Sequence, residues 1–481
     1  MPDSFMSLGI AQRRRFPYRS LLAVAAVLVL AGCATFSEDG GFGAVRSAAK
    51  ERLGSETKWL RNEVDEDAAR KQVQALLAKP LSVEDAVQVA LLNNRGLQAS
   101  YSELGIAEAD LVQTGRIANP SFGYANMRGG GELKIDRVLS FNIIQLLTMP
   151  LATKITARRF EQTKLAVSAE MLSVAAETRR AYYGAVAAQE SIRYFEQVNE
   201  SAEASAELAR RMFAAGNFTA LQRAREQVFY ADAVAQLARA RQTAVVERER
   251  LTRLMGLWGT DVAFRLPDRL PDLPKGPAEQ RDVEQTAMGT RLDVKASKRE
   301  LDALAESLGL TKATRFINVL ELGLAQEREP FNVLNGYEIR LEIPIFDWGQ
   351  ARVARAEALY MQAANRTAET AVNARSEVRE AYSAYRTTYD LAGHYRNEIV
   401  PLRKKISEEN VLRYNGMLIG VFELLADARE SIAAVNASIQ AHRDFWLADT
   451  NLQAAQNGAA AGMRKAAGAA PAMAAGGSRE H

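Results

Sequence analysis

The chain has 481 residues, a net charge of +3, 25% charged and 48% hydrophobic residues, which leaves room for two or three ordinary domains or one elongated one and gives no strong field for nucleic acid. Its one cysteine, Cys33, excludes an intrachain disulfide, and His394, His442 and His481 lie too far apart in sequence to make a metal-ligand spacing. There is no Walker-type phosphate loop and no Gly-x-Ser-x-Gly elbow, so no enzyme and no cofactor are expected.

Residues 1–32 read as an export signal. Arg13, Arg14 and Arg15 form a basic region, and Leu21 to Leu30 is an apolar run too short to cross a bilayer as a helix. The run ends in Leu30-Ala31-Gly32-Cys33, which looks like a bacterial lipobox. The motif implies cleavage before Cys33, a lipidated (palmitate-bearing) cysteine and, with Ala34 following, delivery to the outer membrane. The alternative is an ordinary signal followed by a chance cysteine. Residues 33–80, polar and Gly-containing at first (Gly40, Gly41, Gly43), read as a tether that partly wraps the body.

Residues 81–255 form the first half. Ser82 can cap a helix whose third residue, Asp85, supplies an acid to the first turn. Helices are predicted to about Asn94 and about Gln113. Two strands follow, near 119–126 and 138–148, separated by a Gly-rich loop from Met127 to Glu132. Each is about nine to eleven residues, enough to cross a bilayer at a tilt. Pro150 then opens a helix to about Ala215, with Val174, Ala181, Ala188 and Phe195 at heptad spacing. Its length is about 95 Å at about 1.5 Å per residue. The Gly216-Asn217 pair turns the chain, and a return helix runs to Met255. Residues 256–280, with Gly256, Gly259, Pro267, Pro271, Pro274 and Pro277, read as a linker.

Residues 281–456 repeat this order at an offset of about 200. A helix starts at Arg291-Leu292-Asp293, and strands are predicted near 315–326 and 336–346. A helix from Ala351 to about Arg413 carries Ala371, Val378, Tyr385, Ala392 and Ile399 at heptad spacing. A second tip lies at Arg413–Met417, and a return helix spans Val421 to about Gln456. Residues 457–481 read as a disordered tail. In the last strand Tyr337, Ile339, Leu341, Ile343 and Ile345 alternate with Glu338, Arg340 and Glu342. An oily face and an ionic face suit a barrel with lipid outside and a water-filled lumen lined by Glu338, Arg340 and Glu342. Four strands are too few to close a wide barrel, and an open edge in lipid is forbidden, so the chain must associate.

The junction Pro344-Ile345-Phe346-Asp347-Trp348-Gly349-Gln350-Ala351-Arg352 resembles the strand-to-helix junction of the TolC-like family of outer-membrane efflux proteins, and the likeness covers roughly residues 81–456. The first junction, Met149–Thr153, keeps the proline but lacks the Phe-Asp-Gly turn, and Arg291-Leu292-Asp293 stands where the family has Arg-Pro-Asp. The resemblance implies a mainly α homotrimer. Three chains would form a 12-stranded β-barrel in outer-membrane lipid and a coiled-coil α-helical barrel in the periplasm. It further implies a periplasmic adaptor docked on the tips Gly216, Asn217, Phe218, Thr219 and Met417, Leu418, Ile419, Gly420, with energy from an inner-membrane pump. These tip residues otherwise only turn the chain. Family channels narrow at acidic rings after the second tip. Glu423 matches one ring, Ala426 the inner one, and Asp427 points about 100° away on a helix. Otherwise Glu423 is a solvated helix-start glutamate. The expected function is the exit duct of a tripartite efflux system for small solutes or metal ions. The alternatives are a structural coiled-coil lipoprotein scaffold or a type I protein-secretion duct.

Overall fold

The structure is a computed structural model describing residues 35–129, 132–279, 282–317 and 319–459, with the side chains of Glu132, Val421 and Phe422 left out. The signal segment, Cys33 and nearly all of the expected tail lie outside the described residues. The chain divides into two units. One comprises Ala109–Ala157 and Gly309–Val353; the other comprises Glu38–Glu108, Arg158–Leu308 and the chain from Ala354 onward.

The first unit is built on a four-stranded antiparallel sheet in the order β1-β2-β3-β4. The strands are β1 (Ser121–Gly129), β2 (Glu132–Asn142), β3 (Leu320–Glu329) and β4 (Asn332–Leu341). These bounds correct the expected ones. The second strand starts six residues earlier than 138, because the pairing of the two strands extends to Gly129 opposite Glu132. It ends at Asn142, and residues 143–148 are helical. The Asn142 side chain accepts a hydrogen bond from Gln145 N at 2.9 Å, the geometry of a helix N-cap. Helix α5 (Ile143–Ala214; α1 to α4 are placed below) therefore carries Pro150 inside it rather than at its start. The third strand lies later than expected, at 320–329, and the fourth earlier, at 332–341, so that the two close around Pro330-Phe331. β4 stops at Leu341, three residues short of Pro344, which has no N–H for a ladder.

After β4 the Asp-Trp-Gly turn is fixed locally. Gly349 has φ 72°, and a Cβ there would lie 2.5 Å from Arg315 O. Its N–H donates to Asp347 Oδ1 at 2.8 Å, and the Trp348 ring meets Phe316 edge-on at 6.3 Å.

The second unit is helical. Helices α1 (Gly43–Leu53), α2 (Glu63–Leu77), α3 (Val83–Asn93) and α4 (Arg95–Thr114) open it. Ser82 and Asp85 form the expected capping box on α3. The segment before α3 carries α1 and α2 and packs into the main apolar core. Phe42, Val45, Ala49 and Val73 join the main apolar core, Phe42 meets Tyr101 edge-on, and the Tyr101 hydroxyl lies 2.7 Å from Thr57 Oγ1.

Helix α5 pairs with α6 (Ala220–Met255), and the heptad residues Val174, Ala181, Ala188 and Phe195 are all buried. Residues 256–279 are largely irregular but packed. Leu257, Phe264 and Leu270 are buried, and Trp446 Nε1 donates to Pro271 O at 3.0 Å. Then come α7 (Val283–Thr290), α8 (Leu292–Ala313), α9 (Gln350–His394), a π-helical turn (Tyr395–Ile399), α10 (Val400–Asn415) and α11 (Val421–Asn457). The expected single helix from 351 to 413 is interrupted at Tyr395–Ile399. Pro401 lacks the N–H that would bond Asn397 O, and its ring crowds that carbonyl, so the ladder re-forms as a π-bulge.

Each return helix ends on a left-handed glycine, Gly256 (φ 66°) and Gly458 (φ 73°). Each is held by side chains from the start of a helix layer. Asn94 Nδ2 donates to Leu254 O at 2.8 Å, and Arg291 Nη1 donates to Ala455 O at 2.8 Å. Arg291 is 2% exposed, and it reaches Asp293 Oδ2 at 2.6 Å and Glu377 Oε2 at 2.7 Å. Charged hydrogen bonds satisfy a guanidinium that could not otherwise be buried.

Candidate functional site

Register assigns every strand residue to one of two faces. On one, Phe141, Leu322 and Ile339 align in a row, and Phe122, Leu139, Leu324 and Tyr337 form the next. Leu320 opposite Leu341 continues the apolar band on one side. On the other side the band closes with Tyr124, Arg137, Gln326 and Asn335. There Arg137 donates to Gln326 Oε1 at 3.0 Å, and Gln326 donates to Asn335 Oδ1 at 2.9 Å. The opposite face carries Lys134, Asp136, Glu321, Glu327, Glu329, Glu338 and Arg340 among small residues such as Gly323, Ala325 and Gly336. Arg340 bridges Glu321 at 3.1 Å and Glu338 at 3.0 Å, and Lys134 meets Glu327 at 2.5 Å.

The exposures run opposite to those of a water-soluble sheet. Leu324 is 65% and Tyr337 75% exposed, whereas Glu321, Ala325 and Glu327 are half-buried. In water an exposed apolar band of this kind marks a contact surface. Leu341 and Ile339 lie on the apolar face, and Glu338 and Arg340 on the charged one. Glu342 follows the last residue of β4, with its N–H on Val319 O at 3.2 Å. Sequence reasoning placed Glu321 opposite Leu320, Leu322 and Leu324 in the strand's alternation but missed Lys134, Asp136 and Glu327. The signal was present in the Leu133/Ile135 alternation with Lys134/Asp136, but the expected loop at Met127 to Glu132 and a strand starting at 138 left that stretch between them unassigned. The edges of β1 and β4 have no partner strand within the described sheet.

The first hairpin tip follows α5. Gly216 adopts φ 77°, and the N–H groups of Asn217 and Phe218 both bond Met212 O. Thr219 then caps α6 in a capping box with Gln222. Nearby, hydrogen bonds from Arg210 and Arg211 hold the Glu207 carboxyl down at about 2, and Arg223 stacks over Phe213 at 4.2 Å. The second tip has a matching bond, Leu418 N on Arg413 O at 2.9 Å, but its left-handed residue is Met417 at φ 59°. A side chain with a Cβ in that region costs about 1–2 kcal/mol. Met417 is 93% and Leu418 77% exposed; Ile419, like Phe218, is half-buried. Gly420 is the N-cap of α11 and has no side chain to offer. Glu423 lies in the first turn of α11 and is exposed, as is Ala426. Asp427 is buried at 7% exposure, with Oδ2 unpartnered, so the two acids point different ways.

Among the described residues there is no cluster of histidine, cysteine and carboxylate groups able to hold a metal ion, and no helix long and apolar enough to cross a membrane. A β-barrel crosses a membrane without any such helix.

No family model matches the chain. A curated relative, the cobalt-zinc-cadmium resistance protein CzcC of Cupriavidus metallidurans, is 24% identical over 283 residues, covering 57% of this chain and 66% of that protein. The chain thus aligns with slightly less than two thirds of that relative. Among solved structures, the outer-membrane channel OprN superposes with a TM-score of 0.66 at 17% identity, over 85% of this chain and 95% of its own. The Campylobacter jejuni CmeC outer membrane channel gives 0.63 at 18% identity, over 84% and 89%. The open state of the Neisseria gonorrhoeae MtrE outer membrane channel gives 0.65 at 17%, over 78% and 89%. The chain has the fold of these outer-membrane channels, mostly helical with a small sheet.

Proposed function

We propose that the chain is one protomer of a TolC-like exit duct, lipid-anchored at Cys33 in a bacterial outer membrane and reaching into the periplasm. The observation that carries this is the two-faced sheet with two bare edges. Most of its apolar side chains are exposed, while Lys134, Asp136, Glu321, Glu327 and Glu338 are half-buried. A water-filled barrel in lipid requires that polarity. β1 and β4 run antiparallel, so β4 of one copy can pair with β1 of the next and close the ring. Three copies would give twelve strands, the number the family resemblance supplies.

The two tips, the two glycine caps and the two strand pairs recur about 200 residues apart, which supports an internal duplication. The first half is 81–255 and the second 281–456. In this reading Gly216–Thr219 and Met417–Gly420 dock a periplasmic adaptor, Glu423 forms an acidic ring at the periplasmic end, and an inner-membrane pump supplies energy. The described charges of the inner face are two basic and five acidic (Lys134, Arg340; Asp136, Glu321, Glu327, Glu329, Glu338). A lining of that sign favours cations. Together with the metal-resistance name of the curated relative, it favours metal or organic cations over anions as cargo.

Planar-bilayer recording tests the reading. The purified protein is expected to give stable, cation-selective channels with a unit conductance set by one trimer. Protein that associates with membrane through its lipid but never conducts would favour the structural scaffold. Accumulation of an exported protein substrate in a deletion strain, with solute efflux intact, would favour the type I secretion duct.

A further inference from the structure

A cavity of about 500 Å³ lies between α5, α6 and α11, in the helical unit. Gly184, Ala187, Ala188, Ser191 and Phe195 place one face of α5 along it, at helical spacing, and Ala240 of α6 and Leu447 of α11 complete the apolar lining. Ser191 is 6% exposed, yet its Oγ has no hydrogen-bond partner. An unmet buried hydroxyl costs about 1–3 kcal/mol, and this one lines an open space.

The polar lining has one dominant sign. Four guanidiniums, from Arg180, Arg239, Arg250 and Arg443, share the cavity with one carboxylate, Glu247. Two of the four are already engaged: Arg180 donates to Asn451 Oδ1 at 3.0 Å, and Arg443 to Asp444 Oδ1 at 2.7 Å. Arg239 and Arg250 form no ion pair among the described residues. Burial holds Arg180 below its usual value; Glu177 opposes that shift and the nearby Arg250 adds to it. The lining therefore combines an alanine-rich apolar wall, an orphaned hydroxyl and uncompensated arginines.

We propose that this cavity binds a small amphiphilic oxyanion, a sulfonate or carboxylate with one short apolar tail. Its oxygens accept hydrogen bonds from the free guanidiniums, where planar N–H forks match oxyanion geometry. Its tail lies along Ala187, Ala188 and Phe195, and the Ser191 hydroxyl offers a further donor. The site does not depend on the duct reading, since binding can be measured without conduction.

The test uses the full-length protein in a non-ionic detergent, with hexane-1-sulfonate as probe in isothermal titration calorimetry. Hexyltrimethylammonium, hexanol and inorganic phosphate serve as matched controls. Saturable binding of the sulfonate at one site per chain is expected, weakening as salt is raised. The double variant Arg239→Gln/Arg250→Gln changes exposed side chains and is expected to keep the fold by near-UV circular dichroism while losing affinity by about tenfold or more. Ala188→Leu, which fills the apolar end, is expected to weaken binding independently. The proposal is overturned if no saturable binding occurs, or if the ammonium or hexanol binds as tightly as the sulfonate. Wild-type affinity in both variants also overturns it. Phosphate binding as tightly as the sulfonate would remove the tail site and overturn the amphiphile assignment.

Discussion

Arg291 Nη2 donates to Glu377 Oε2 at 2.7 Å, tying the start of α8 to the middle of α9. The same guanidinium holds Asp293 and the carbonyl of Ala455 near the end of α11. Three helices therefore depend on one buried fork. Arg291→Ala leaves Asp293 and the Ala455 carbonyl without their donor, and a loss of about 3–5 kcal/mol is expected. Arg291→Lys is not expected to restore it, because one ammonium cannot reach three acceptors in that plane. Glu377→Gln keeps one acceptor and is expected to cost no more than about 1.5 kcal/mol. Chemical denaturation of the helical unit's circular dichroism signal measures all three. Equal effects for Arg291→Ala and Glu377→Gln would mean that the carboxylate, not the fork, is what matters.

The strands give the second prediction. Single cysteines at positions 338 to 341, in a Cys33-independent background, are expected to label alternately with water-borne reagents in membranes. Glu338 and Arg340 should be reactive, and Ile339 and Leu341 protected. Leu341→Arg should destabilise by about 2–4 kcal/mol if its side chain lies near the bilayer midplane. Uniform labelling at all four positions rules out a membrane strand.

The tips give the third. Leu418→Asp and Phe218→Asp are expected to leave trimer yield unchanged and to abolish efflux in cells. Met417→Gly relieves the left-handed strain and is expected to stabilise the tip by up to about 1 kcal/mol. If efflux is normal with both aspartates, the tips serve only to turn the chain.

Glu423 gives the fourth. Glu423→Gln should lower cation selectivity and block by multivalent cations, and Glu423→Lys should reverse the preference at that end, because like carboxylates around an axis attract cations. Trimers with an unaltered reversal potential in both variants would place Glu423 away from the constriction.

Cys33 gives the fifth. The mature protein is expected to begin at Cys33 and to incorporate labelled fatty acid, with Cys33→Ser abolishing the label. Mature wild-type protein that retains residues before Cys33, or carries no lipid, contradicts the lipobox.

The helical hairpins were legible because small residues at heptad spacing leave a long, regular signal, and Val174, Ala181, Ala188 and Phe195 are each buried. The strands were legible in kind but not in extent. Period-two alternation says which face a residue takes, not where pairing stops. That was decided by Asn142 acting as a cap and by Pro344 lacking a donor, both local events that a period does not report. The π-bulge before Pro401 was hidden for the same reason. The cavity beside Ser191 draws its lining from three helices distant in sequence, and no spacing within one segment announces it.

The bare edges of β1 and β4 also bear on how such a protein is made. An unpaired strand edge is a template for any other strand. In the proposed assembly a single copy therefore carries two bare edges before it meets its partners, while its helices satisfy most of their backbone groups within themselves. The hazard of the monomer lies in the sheet, and so does the commitment to assembly. A copy whose rim is capped by a foreign strand would stay folded and yet be unable to take its place in a ring.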